Sequence, residues 1–341
     1  MEYRSLGRTG MQVSALSLGT MLFGGETDEA TAAALVERAI EAGVNSIDTA
    51  NAYGRGRSEE VLGRVLARTG KRQRLVLATK VHVRMDDSDP NAGGNHRRHI
   101  IEQCHASLRR LGTDYLDIYY IHRPSTLVPI DETLRALDDL VRAGLVRYIG
   151  TSSFAAWQIL EGLWAAKEYH LNRFVVEQTP YHLLDRRAER ELIPMAHSYG
   201  VGLTIWSPLA GGFLTGKYRR GAARPAVARF RDTGERSAWA ERHFVDAAFD
   251  LVEQTAAIAA EQGCTPAQIA LAWTLQREGV SSVVLGARDV AQLDQQLGAC
   301  DVRLTPDDTA RLDRASPPGG VIVPYFLDDS FADFRPHRHR W

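Results

Sequence analysis

A rhythm constrains the fold of this chain more than any single motif. Eight apolar, strand-like runs occur at 15–19, 44–48, 74–80, 115–122, 146–153, 174–178, 201–207 and 281–287, with helical patterns between them. Taken together the runs are rich in apolar residues on both faces, which is how strands read when both faces of their sheet are covered. The segments between carry the helical period. In "DEATAAALVERAIEAG", Leu35, Val36, Ala39 and Ile40 share one face, Glu37, Arg38 and Glu41 lie outside, and Gly43 supplies the stop. In "NHRRHIIEQCHASLRRLG" the buried stripe is Ile100, Ile101, Cys104, Leu108 and Leu111. "TPAQIALAWTLQREG" opens on Thr265 as a cap with Pro266 at the first helical position. This alternation predicts an α/β fold, a closed (β/α)8 TIM barrel filling residues 1–341 as a single domain. An open doubly wound sheet is the alternative. The opening "MEYRSLGRTGMQVSAL" reads as a β-hairpin turning at Gly10. Two stretches break the rhythm, 207–242 and the tail after Pro317, and long loops of this kind are commonly lids or binding loops.

Composition narrows the function classes. Hydrophobic residues make up 44% and charged residues 24%, with a formal net charge of -1. That balance gives no electrostatic footprint for nucleic acid or a membrane surface. The N-terminus has no apolar signal region and no 18-residue apolar run occurs, so a cytoplasmic protein is expected. Cys104, Cys264 and Cys300 are far apart and odd in number, which suggests neither a disulfide framework nor a zinc site, and no metal is expected. Cys104 and Cys264 fall in helical patterns as small core residues. The tail "FRPHRHRW" reads as a basic, solvated end. Basic residues are nearly all arginine; the only lysines are Lys71, Lys80, Lys167 and Lys217. A lysine where arginine would serve equally well is therefore informative.

In a barrel the C-terminal ends of the strands form one face, and active sites sit there. The run 44–48 ends in Asp48, with Tyr53 in the loop beyond; "RLVLATK" ends in Lys80; "YLDIYYIH" ends in His122. Taken singly, these are a helix cap, a surface charge and a core imidazole. On three consecutive strand ends they describe one site. A free phenol titrates near 10, too high to be a ready proton donor at neutrality, and a cation beside it favours the phenolate. Lys80 can supply that cation, Asp48 can keep Lys80 charged in a dry site, and His122 can orient a substrate oxygen. The set is a general acid aimed at an oxygen, which calls for a partner reaction such as hydride delivery to a carbonyl.

No Rossmann GxGxxG follows a first strand, and no Tyr-x-x-x-Lys pair occurs. The other strand ends are small and polar. Ser153 and Gln178 could bind a carboxamide, Trp206 could stack on a flat ring, and the Gly-rich loop with Lys217 could wrap a pyrophosphate. Arg288, just before a helix, could hold a further phosphate; its alternative is a surface arginine paired with Asp289 or Asp294. Together they outline a groove of dinucleotide size.

These residues resemble the aldo-keto reductase superfamily over essentially the whole chain. "DTANAYGRGRSEEVLG" and "RLGTDYLDIYYIHRP" are similar to its two signatures, "LATK" carries the lysine, and "WSPLAGGFLTGKY" and "VVLGARDVAQLDQQLGA" are similar to its cofactor segments. The resemblance implies NADPH bound without a Rossmann fold, a tetrad of Asp48, Tyr53, Lys80 and His122 with Tyr53 as the acid, and reduction of a small carbonyl substrate. It implies cofactor contacts from Gly19, Thr20 and Met21 at the nicotinamide end and from Asp48, Ser152, Ser153 and Gln178 nearby. Trp206, Ser207, Pro208, Leu209, Gly211 and Lys217 would follow along the groove, then Gly286, Arg288, Gln292 and Gln296. Substrate contacts would come from Tyr53, His122, Phe23, His82, Tyr325 and Phe326. Two departures stand out: Ser152-Ser153 replaces the usual Ser-Asn, and Gln295-Gln296 replaces Glu-Asn, which weakens the expected hold on the adenosine. The opening "YRSLGRTGMQVSALSLGTMLFG" is like the bacterial and channel-β-subunit-like branch. That branch adds two other readings, a keto-sugar reductase of secondary metabolism and a cofactor-binding regulatory subunit. Oligomeric state is left open, since monomers, dimers and rings all occur on this fold.

Overall fold

All eight apolar runs become strands. The computed structural model describes residues 1–225, 228–230 and 240–324. A hairpin of β1 (Tyr3–Ser5) and β2 (Gln12–Ser14) leads into β3 (Leu16–Gly19), β4 (Ser46–Asp48), β5 (Val76–Val81) and β6 (Leu116–Ile121). Then come β7 (Val146–Ser152), β8 (Phe174–Pro180), β9 (Gly202–Trp206) and β10 (Val280–Leu285). Each of β3 to β10 pairs in parallel with its neighbour, and β10 returns to β3 with Val283 beside Leu16, closing the barrel. Closure removes the open-sheet alternative.

The helices between strands follow the predicted periods. In α1 (Glu29–Glu41), Ala32, Leu35, Val36 and Ala39 are buried, and Asp28 caps the helix by accepting from the Thr31 N–H. The next are α2 (Arg57–Thr69), α3 (Arg97–Leu111), α4 (Ile130–Arg142), α5 (Ala156–Glu168) and α6 (Leu192–Tyr199). After them come α7 (Asp246–Gln262), α8 (Pro266–Leu275), α9 (Val290–Leu297) and α10 (Pro306–Ala315). Thr265 accepts from the Gln268 N–H at the start of α8, with Pro266 in the first turn as the sequence predicts. Cys104 is fully buried in α3, whereas Cys264 lies in the connection between α7 and α8 and is only partly buried. The Gly263 that ends α7 accounts for this difference: its left-handed conformation stops the helix before the helical pattern read around Cys264 can begin. Among the described residues, no helix is long and apolar enough to cross a membrane.

Among the described residues, two apolar cores result. The larger lies between strands and helices. The smaller joins Val76, Ala78, Ile118, Tyr120 and Val176 to Leu6 and Val13, so the hairpin plugs the bottom of the barrel. A side chain at Gly150 would come within 2.7 Å of the Tyr120 ring, so that glycine makes room for the tyrosine. Alternate residues of a strand share a face. Two positions beyond Ala78, Tyr120 and Val176 stand Lys80, His122 and Gln178. The inner faces of three strands thus pass from apolar floor to polar mouth within one step each.

The segment after Pro317 is anchored at its start. Ile322 and Val323 donate backbone N–H groups to Leu184 O at 2.9 and 3.0 Å, and Val323 is fully buried.

Candidate active site

The three strand-end side chains and Tyr53 from the loop after β4 meet in the barrel mouth. Lys80 is fully buried. Its ammonium pairs with Asp48 Oδ1 and donates to Thr49 O at 2.9 Å and to the Tyr53 hydroxyl at 3.2 Å. Burial works against that charge, but the Asp48 carboxylate and the Tyr53 oxygen outweigh it, and the Lys80 pKa is raised. Tyr53 also meets His122, edge to face, with ring centroids 5.9 Å apart. Burial pushes His122 well below the ordinary imidazole range, and the positive charges of Lys80 and Arg123 push the same way. His122 is therefore neutral near pH 7, with one N–H to donate.

Tyr53 stands at the start of a 3-10 turn, Tyr53–Gly56, that leads into α2. Ser58 fixes this turn to the barrel. Its hydroxyl donates to Thr20 O at 2.7 Å and lies 2.9 Å from Thr20 Oγ1 and 3.1 Å from Thr49 Oγ1. The Thr20 side chain is thus spent on structure, while Met21 beside it is 38% exposed. Gly19 packs tightly: a Cβ there would lie 2.8 Å from Val284 Cγ1.

Gln178 donates its amide to Asp48 Oδ2 at 2.8 Å. Ser152 and Ser153 are buried beside it, and Ser153 has φ +63°. Arg123 donates to Ser153 Oγ at 2.9 Å and to His122 O at 3.1 Å, and lies 5.8 Å from the Trp206 ring centre. Sequence reasoning missed Arg123, although it directly follows His122; an arginine drawn into a strand end beside polar groups was the available signal.

Further round the mouth, Ser207, Pro208 and Leu209 lead into a 3-10 segment, Ala210–Thr215, in which Gly211 and Gly212 have φ of 66° and 91°. The bare Gly212 backbone makes room for the Lys217 ammonium, and Gly211 makes room for the Phe230 ring, with Arg229 in contact beside it. A Cβ on Gly212 would lie 2.9 Å from Lys217 Nζ, and one on Gly211 would lie 3.5 Å from Arg229 Cδ. Lys217 remains accessible, yet its ammonium end sits against protein, and this partial burial together with Arg288 and Arg229 lowers its pKa. Lys217, Arg229 and Arg288 therefore form one positive cluster, and Arg229 is a member that sequence reasoning did not find.

Arg288 pairs with neither Asp289 nor Asp294. Its Nε lies 3.3 Å from Glu26 Oε2. Asp289 caps α9 by accepting from the Gln292 N–H at 2.8 Å, and Asp294 pairs with Arg38. Gln292 Oε1 accepts from the Arg288 backbone N–H, at 3.0 Å. Gln296 donates to Gly286 O at 2.9 Å, leaving its buried Oε1 without a partner among the described residues, and Gly286 is exposed.

The remaining side chains proposed for substrate stand differently. Phe23 is 2% exposed and packs into the larger core, so it is not a surface of the mouth. The His82 Nδ1 lies 2.8 Å from Asn95 Oδ1 on the rim. Tyr325 and Phe326 lie outside the described residues.

Comparison with known proteins agrees with this architecture. The family model described as "Aldo/keto reductase family" matches residues 15–317. A "Probable voltage-gated potassium channel subunit beta" of Oryza sativa subsp. japonica is 40% identical over 312 residues, covering 90% of this chain and 94% of that protein. The "Uncharacterized oxidoreductase YrpG" of Bacillus subtilis (strain 168) is 38% identical over 331 residues, covering 94% of this chain and 98% of its own. A "Putative voltage-gated potassium channel subunit beta" of Schizosaccharomyces pombe is 38% identical, with 92% of each chain covered. The chain belongs to the aldo/keto reductase family of oxidoreductases, in its channel-β-subunit-like branch.

Proposed function

We propose that this protein reduces an aldehyde or ketone to an alcohol with NADPH, with Tyr53 as the general acid. One observation carries the reading: a fully buried lysine, Lys80, bridges the Asp48 carboxylate and the Tyr53 hydroxyl. Lone buried lysines lose their proton, and this one is built to keep it. A retained ammonium beside a phenol favours release of the phenol's proton.

The residues present fit a nicotinamide dinucleotide. Lys217 and Arg229 lie against two glycines, Arg288 adds its charge to theirs, and the buried Gln296 Oε1 has no partner among the described residues. Lys217, Arg229 and Arg288 would hold phosphates, and Ser153 with Gln178 would hold the carboxamide. When bound, the nicotinamide supplies the hydride that adds to the carbonyl carbon. Neutral His122 donates its N–H to the carbonyl oxygen and orients it. Tyr53 passes its proton to that oxygen as negative charge grows there, and Lys80 stabilises the phenolate left behind. Asp48 and Gln178 hold Lys80 in place throughout.

A second reading is favoured by the names of the plant and yeast relatives: a subunit that binds cofactor and regulates a channel. A panel of aldehydes and ketones assayed by loss of NADPH absorbance separates the two. Steady turnover on some members supports the reductase, and failure on every member supports the regulatory subunit.

A further inference from the structure

Glu26 sits at the tip of the loop between β3 and α1. That loop is cross-braced. Gly24 N–H donates to Thr27 O at 2.9 Å, Thr27 N–H donates to Leu22 O at 3.0 Å, and Phe23 anchors it in the core. The backbone of the tip is therefore held, and the Glu26 side chain projects from it exposed. Its carboxylate reaches across the rim to Arg288. Both partners are accessible, with side-chain exposures of 47% for Glu26 and 25% for Arg288. Arg288 belongs to a cluster whose other members, Lys217 and Arg229, are also positive. Glu26 is the carboxylate that faces Arg288 in a place otherwise suited to a phosphate.

We propose that Glu26 is a specificity-determining residue: an internal carboxylate that occupies Arg288 when no cofactor is bound and must yield it to the 2′-phosphate of NADPH. The inference rests on the assignment of Arg288 to that phosphate. The exchange is an ion swap with no covalent change. A phosphate brings more charge and more acceptor oxygens than a carboxylate, so it wins the guanidinium. The displaced Glu26 then stands near the phosphate as a like charge. Both effects weaken NADPH binding and leave NADH, which has no 2′-phosphate, unaffected. Glu26 thus moderates the preference that Arg288 creates and eases release of oxidised cofactor.

Fluorescence titration of NADPH and NADH against wild type, Glu26→Gln, Arg288→Ala and the double variant tests this. Glutamine keeps the size of the side chain, and both positions are accessible, so folding is not at stake. Glu26→Gln is expected to tighten NADPH by about threefold to fivefold, the scale of a partly exposed ion pair, with NADH unchanged. In the Arg288→Ala background the same change should have no effect, because the competition has lost its object. If Arg288→Ala weakens NADPH selectively but Glu26→Gln leaves it unchanged or weaker, the Glu26 proposal is overturned and the phosphate assignment stands. If Arg288→Ala affects both cofactors equally or neither, the phosphate assignment fails, and the proposal fails with it.

Discussion

The amide of Gln178 on β8 donates to Asp48 Oδ2 on the opposite side of the barrel, at 2.8 Å, while Lys80 takes Oδ1. Both oxygens of one buried carboxylate are therefore fixed, from two directions. Hydrogen bonds to charged groups contribute roughly 1.5–3 kcal/mol. Gln178→Leu is expected to lower kcat by about 10- to 100-fold, on that energy scale, by letting Asp48 and then Lys80 drift. Gln178→Glu should be worse, since it sets a second carboxylate against the first. Steady-state kinetics of the two variants checks the order; a Gln178→Glu enzyme faster than Gln178→Leu would contradict it.

Lys80 allows a prediction about stability as well as rate. Its ammonium is enclosed by Asp48, Thr49 O and the Tyr53 hydroxyl, with no solvent contact. Lys80→Met leaves Asp48 buried without its countercharge, at a cost of about 3–5 kcal/mol. Adding Asp48→Asn should recover part of that loss in a denaturant titration without recovering turnover. Lys80→Arg should not rescue turnover, because a planar guanidinium cannot occupy a pocket shaped for a compact ammonium. Near wild-type turnover in Lys80→Arg would mean that the site needs only a positive charge.

Much of this arrangement was legible in the sequence, for a physical reason. Strands buried on both faces write themselves as apolar runs, so a polar side chain at the end of such a run stands out, as Asp48, Lys80 and His122 do. The chain's preference for arginine made Lys80 conspicuous. What the sequence hid are contacts between distant loops. Nothing near Arg288 in the chain points to Glu26, and the acids beside it, Asp289 and Asp294, are engaged elsewhere. Arg229 joins the cation cluster because it and Phe230 lie against Gly211, far along the chain from Arg288. Phe23 reads as a mouth residue because it follows a strand end, but the tight loop turns it into the core.

Stability should peak between the titrations of buried groups. Burial raises Glu177 to about 8, although the Phe154 backbone N–H donates to it at 3.2 Å. The folded state keeps that proton while the unfolded chain releases it near 4.5, so the stability it contributes is lost as pH rises toward 8. Burial lowers His99 and His182 to about 4 each, so their contribution is lost as pH falls from about 6.5 toward 4. Between pH 6.5 and 8 the wild type should lose stability relative to Glu177→Gln, with a slope of at most about 1.4 kcal/mol per pH unit. Denaturation midpoints of both proteins across that window read the difference; parallel curves would contradict the assignment.

The central claim is that Tyr53 delivers the proton and Lys80 makes it able to. Tyr53→Phe removes one oxygen, 3.2 Å from Lys80 Nζ, and keeps the ring that meets His122. The direct measurement is single-variant kinetics on the best carbonyl substrate, paired with NADPH titration of the same preparation. Turnover is predicted to fall by roughly 10²–10⁴-fold, the range of general acid catalysis, with NADPH affinity unchanged. A Tyr53→Phe enzyme that kept more than about a tenth of wild-type turnover, far above that range, would show that another group supplies the proton.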